Sequence, residues 1–215
     1  MVKIEKLFKQ TNLGWGSIFR ISIACGIIPG LLMIPEILDR TSFQQPCVTF
    51  EFWICMAMYI ILNSKKPGEA ALKTFVFFLI SQPLIYLVQV PFSWMHWQIF
   101  QYYPRWGFLT ICTIPGAMIA WLTKKEKWYS ALIWCVAALI ICMCLAPCLI
   151  RVITDFPLCL LAVVFMLAEL IIFPAILFKK KQLRIISYII SALMLTAFTI
   201  YEYNSYLASL KFMVQ

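Results

Sequence analysis

Residues 128–150 read WYSALIWCVAALIICMCLAPCLI, a run of twenty-three residues without one charge, set between Lys124-Lys125-Glu126-Lys127 and Arg151. An α-helix crosses the ~30 Å hydrocarbon core of a bilayer with about 20 apolar residues, so this run is long enough. A membrane β-strand is excluded, because barrel strands are short and alternate apolar with polar residues. Leu139–Cys144 and, further on, Leu158–Leu167 are continuously apolar.

Six more stretches of this kind lie on either side, at 15–38, 47–64, 72–92, 106–123, 157–178 and 183–204. The expectation is an all-α, polytopic transmembrane helix bundle of seven spans, with residues 1–215 forming a single integral-membrane domain. Composition agrees. Of 215 residues, 63% are hydrophobic and 13% charged, and the mean hydropathy is +0.90. Soluble domains have about 45–50% apolar and about 25% charged residues, and disordered chains are poorer still in apolar residues. Both classes are excluded.

Orientation follows from the lysines. Lys3, Lys6 and Lys9 precede the first span; Lys65, Lys66 and Lys73 follow the second; Lys124, Lys125 and Lys127 follow the fourth; Lys179, Lys180, Lys181 and Arg184 follow the sixth. These thirteen fall on one side, against Arg40, Arg105, Arg151 and Lys211 on the other, with Arg20 inside the first span. Cytoplasmic loops carry the excess of Lys and Arg, which puts the N-terminus in the cytoplasm and the C-terminus outside. The lysines ahead of Trp15 resemble the start of a signal peptide. No small-x-small cleavage site closes the run, and the first span reads as uncleaved.

The formal net charge of +9 does not indicate nucleic acid. The basic residues sit in short clusters between apolar runs, where they meet anionic lipid headgroups; the lipid bilayer is the expected partner. Nine cysteines and one histidine, with no CxxC, give no zinc-ligand spacing, and no metal or cofactor is expected. Most of the thiols lie inside apolar runs and act as small hydrophobes. Cys47, Cys148 and Cys159 fall near one surface, where a single disulfide remains open.

The spans divide as three, one and three. Trp15 to Lys66 and Trp128 to Lys179 cover equal lengths, while Ile28-Pro29-Gly30 is echoed by Ile114-Pro115-Gly116 in spans one and four. The two echoes imply different repeats. The three-one-three layout resembles that of small seven-helix carriers such as the SWEET sugar transporters, whose N-terminus lies outside rather than inside.

Ionisable and polar groups within a membrane are costly and are candidates for function. In the third span Gln82, Tyr86 and Gln89 stand at i, i+4 and i+7 and share one helical face. They serve either as a hydrogen-bonding wall of a substrate-binding cavity or as contacts between packed helices. Glu169 lies about 12 residues into its span, near the midplane. A carboxyl group there must be protonated, paired or facing water; pairing with Arg20 is one option, substrate binding another. Glu36, Glu51 and Glu202, near the outer ends of their spans, make the outer face locally acidic together with Asp39 and Asp155; they read either as solvated helix ends or as a face that attracts cationic solutes or ions.

Residues 93–105, SWMHWQIFQYYPR, are the longest connection. They read as an aromatic, partly helical cap at the outer headgroup level, with His96 an interfacial residue. Several spans contain prolines, which membrane helices tolerate when neighbours or water satisfy the freed carbonyls. No P-loop, GxSxG or HExxH is present, and no catalytic residue is assigned; a membrane-embedded enzyme acting on lipid is the third reading, which would need Glu169 or Glu51 as general acid or base and has no second catalytic group to name. The leading expectation is a small-molecule permease or transport-accessory protein with Gln82, Tyr86, Gln89 and Glu169 on a shared cavity, in the plasma (inner) membrane of a bacterium. The rival is a non-transporting subunit, immunity or assembly factor that binds a membrane protein partner through helix contacts.

Overall fold

The computed structural model describes residues 13–39, 41–44 and 49–213, and each apolar stretch of the sequence is occupied by one α-helix. These are α1 (Trp15–Leu32), α2 (Glu51–Leu62), α3 (Pro67–Gln89), α4 (Tyr103–Trp121), α5 (Trp128–Thr154), α6 (Leu160–Leu177) and α7 (Lys181–Met213). No strand occurs among the described residues. Pro67 opens α3 at its first position, where its missing N–H costs nothing. Pro29, Pro83, Pro115, Pro147 and Pro174 lie inside helices that run on through them.

Six helices are long and apolar enough to cross a membrane; α2 is the exception. It has 12 residues, about 18 Å at 1.5 Å per residue. Of the stretch 47–64, the helix begins only at Glu51 and stops at Leu62. α7 errs in the other direction. Its 33 residues make about 50 Å, well past the expected end at 204.

Small residues set the closest packing. Ser22, Gly26 and Gly30 are buried at every fourth position of α1, and α1 lies against α3 along this stripe. Small-xxx-small stripes let helix backbones approach where no hydrophobic effect drives association. On α5 the buried Ala138, Cys142 and Ala146 form a similar stripe, matched by Ser187 and Ser191 of α7. Trp134 Nε1 donates to Ser191 Oγ at 3.3 Å, and the Cys142 thiol to Ser191 O at 3.7 Å. In each group of three, the first helix thus packs directly on the third.

α2 joins the two groups. Its Trp53 and Ile60 pack with Ile18, Phe77 and Phe78, while Met58, Ile61 and Leu62 pack with Trp134, Ile141 and Phe173. The two ends of the bundle are tied separately. At one, the Lys73 ammonium donates to Leu13 O, Trp121 Nε1 and Lys124 Nζ to Ser64 O, and Lys180 N to Glu126 Oε2. At the other, Ser42 N and Oγ donate to Leu158 O, and Ala162 N donates to Ser42 Oγ. The lysine-bearing connections therefore gather at one end.

Candidate functional site

The i, i+4, i+7 face of α3 opens on a cavity of about 220 Å³ that Gln82, Tyr86 and Gln89 all line. It lies at the end of the bundle away from the lysines. α3 ends at Gln89, so Gln82, seven residues earlier, sits about 10 Å below that end. Met33, Ile85, Met95, Ile99, Tyr102 and Trp106 complete the wall.

The cap forms as the aromatic sequence suggests. His96–Tyr102 is a 3₁₀ helix, and the left-handed backbone of His96 (φ 45°) turns the chain into it. Trp97 stacks on Phe100 with centroids 6.0 Å apart, and Phe100 meets Tyr86 at 5.8 Å. Trp94 and Trp97 remain exposed, as interfacial rings do. His96 is exposed beside them.

Gln82 is only 1% exposed, and its Nε2 has no hydrogen-bond partner. Gln89 Nε2 donates to Ile85 O at 3.1 Å within its own helix. Of the polar groups on this wall, Gln82 thus holds a buried donor unused. An unpaired buried donor costs about 1–3 kcal/mol, which a ligand acceptor in the cavity would return.

Glu169 does not line this cavity. It is 4% exposed on α6, and neither carboxyl oxygen has a partner. The groups that act on it are the Cys55 thiol and the Glu51 carboxyl, both on α2. Cys144 of α5 feels both acids. Arg20 is not brought to Glu169: it is exposed, and its Nε donates to Gly16 O at 3.3 Å within α1. Five residues into α1, its side chain stays on the exposed face of its own helix and bends back along it.

Glu51 overturns the expectation of a solvated helix end. It is 2% exposed, with Oε1 accepting from Thr49 Oγ1 at 2.5 Å and Oε2 unpartnered. The physical reason is the shortness of α2, whose first turn begins inside the bundle rather than at its rim. Glu36 is exposed and Glu202 half-buried. Cys148 and Cys159 are buried thiols close enough to act on each other; Cys47 lies outside the described residues. Among the described residues, no three His, Cys, Asp or Glu side chains are grouped to hold a metal ion.

Two determinants have no place in the expectation. The Ser22-Gly26-Gly30 stripe carries a readable signal, small residues at i, i+4 and i+8. The partnership of Glu51 with Glu169 carries none, since it depends on where α2 begins. The chain is an all-helical bundle with six helices fit to cross a membrane. No family model, no curated protein and no solved structure matches it.

Proposed function

We propose that this chain is a small-molecule permease or transport-accessory protein whose solute enters from the outer face into the cavity of Gln82, Tyr86 and Gln89. One observation carries the reading: Gln82 Nε2 is a buried donor without a partner beside a cavity of about 220 Å³. The bundle crosses the membrane seven times, N-terminus in the cytoplasm and C-terminus outside. Support comes from the hydrogen bonds that join Leu13 to Lys73, Ser64 to Lys124 and Glu126 to Lys180 at one end, and Ser42 to Leu158 at the other. α2 crosses as the short member. The lysine-rich inner face suits a bacterial plasma membrane.

Single cysteines at 82, 66 and 169, in a background without the native thiols, test this with a small membrane-impermeant reagent. Position 82 labels from outside and position 66 from inside. Protection of position 82 from both sides would overturn the outward cavity. The second reading, a non-transporting subunit, is favoured by one observation: Glu169 lines neither the Gln82 cavity nor the one beside Glu51. It gains if position 82 is protected and a partner co-purifies.

A further inference from the structure

On the other side of the α1 terminus, where Leu32 rather than Met33 forms the wall, lies a second cavity of about 260 Å³. Three phenyl rings line it, Phe43, Phe52 and Phe165, together with Leu32, Leu161 and Glu51. Glu51 is the ionisable group of that wall. It is 98% removed from solvent, its Oε2 is unpartnered, and among the described residues no basic side chain pairs with it. A second acid, Glu169, stands behind it and supplies no compensating charge.

We propose that this cavity binds a small organic cation, an alkylammonium group on a compact apolar body. Each half of the ligand answers one half of the wall. A carboxylate out of water needs a positive partner, since an unpaired buried charge is costly. Aromatic faces attract an ammonium through their quadrupole, and quaternary ammonium groups are recognised in this way. An inorganic cation fits poorly, because it would seek several oxygen ligands, and besides Glu51 the polar side chain of this wall is Ser42, whose hydroxyl is engaged with Leu158 O and Ala162 N. The volume lies below the ~300–1,000 Å³ of sites for drug-sized ligands, so the ligand is smaller. The cavity is separate from that of Gln82, and the inference stands independently of the transport reading.

Choline and its neutral isostere 3,3-dimethyl-1-butanol differ by one positive charge at equal shape. Equilibrium dialysis with the full chain in a neutral detergent is expected to show saturable choline binding, with the isostere at least about tenfold weaker. Glu51→Gln is expected to abolish the preference for the cation. Phe165→Leu, which keeps the wall apolar but removes a ring, weakens choline severalfold. Gly116→Ala, on α4 and in neither cavity, leaves it unchanged. Equal binding of the two probes by the unaltered protein, or absence of saturable choline binding, would overturn the proposal without recourse to any variant. An unchanged preference in a folded Glu51→Gln would do the same.

Discussion

Gly26 of α1 meets Ser81 of α3 backbone to backbone: a Cβ built on the glycine would stand 2.9 Å from Ser81 O and 2.6 Å from Leu84 Cβ. Neither neighbour is the flexible end of a side chain, so the helices themselves must part. Gly26→Ala is expected to lower stability by about 1–3 kcal/mol, the usual range for overpacking. Gly116→Ala is the control. A Cβ built there, inside α4, meets nothing within 4 Å beyond its own helix backbone, and alanine gains up to about 1 kcal/mol of helix propensity. Thermal unfolding of the two variants in one detergent compares them directly; equal midpoints would show that α1 and α3 do not pack as described.

The sequence makes the helices legible and their contacts much less so. Runs such as 128–150 announce a helix because the bilayer permits little else. The face of Gln82, Tyr86 and Gln89 is legible because it lies within one helix, where spacing alone decides who shares a side. Glu169 shows where legibility stops. Its depth can be counted along the chain, but its neighbours Glu51 and Cys55 come from α2. Arg20, the basic residue at comparable depth in the sequence, turns back to its own helix. Glu51 itself looks like a helix end and is one, yet the end lies inside the bundle because α2 has only 12 residues.

Gln82 pits function against stability. Its amide fills buried space while Nε2 goes unpaired, so an apolar residue of similar volume removes a desolvated donor. Gln82→Leu is expected to leave the unliganded protein as stable as before, or up to about 2 kcal/mol more stable. The same change is expected to abolish solute-dependent thermal stabilisation. A loss of stability instead would show that the amide bonds within the fold, and the case for a ligand there would fail.

The end of α2 nearest the lysines is capped from the last residue of α4 and the 3₁₀ turn Leu122–Lys125 that follows it. Lys124 Nζ donates to Leu62 O at 2.9 Å and to Ser64 O at 2.8 Å, and Trp121 Nε1 donates to Ser64 O at 3.0 Å. A cation at a helix C-terminus satisfies carbonyls that have no helical partner. Lys124 is exposed, which screens its charge, so Lys124→Met should cost only about 1 kcal/mol. Trp121→Phe should cost a similar amount. Because the two share Ser64 O, either donor alone keeps that carbonyl satisfied, and the double variant, which leaves it bare, should lose more than the two single losses combined. Simple additivity in chemical unfolding would mean that the two donors act on separate carbonyls.

Glu51 and Glu169 are two acids in one buried region, and among the described residues neither is paired with a base. Two like charges in a medium of low polarity repel, so each acid is a burden to the other when both are ionised. Neutralising one should therefore relieve the other. In a cycle of Glu51→Gln, Glu169→Gln and the double variant, the second substitution is expected to stabilise less than the first, with a coupling of about 1 kcal/mol. The sign fixes the pH dependence. Repulsion requires both groups charged, so the coupling must grow as pH rises and fade as it falls. The thiols of Cys55, Cys144 and Cys148 also sense these acids, and alanine at all three separates their contribution. A coupling that is absent at every pH, in variants that fold, would show that the two carboxyls lie too far apart to sense each other, and the short α2 would then not begin where it is placed.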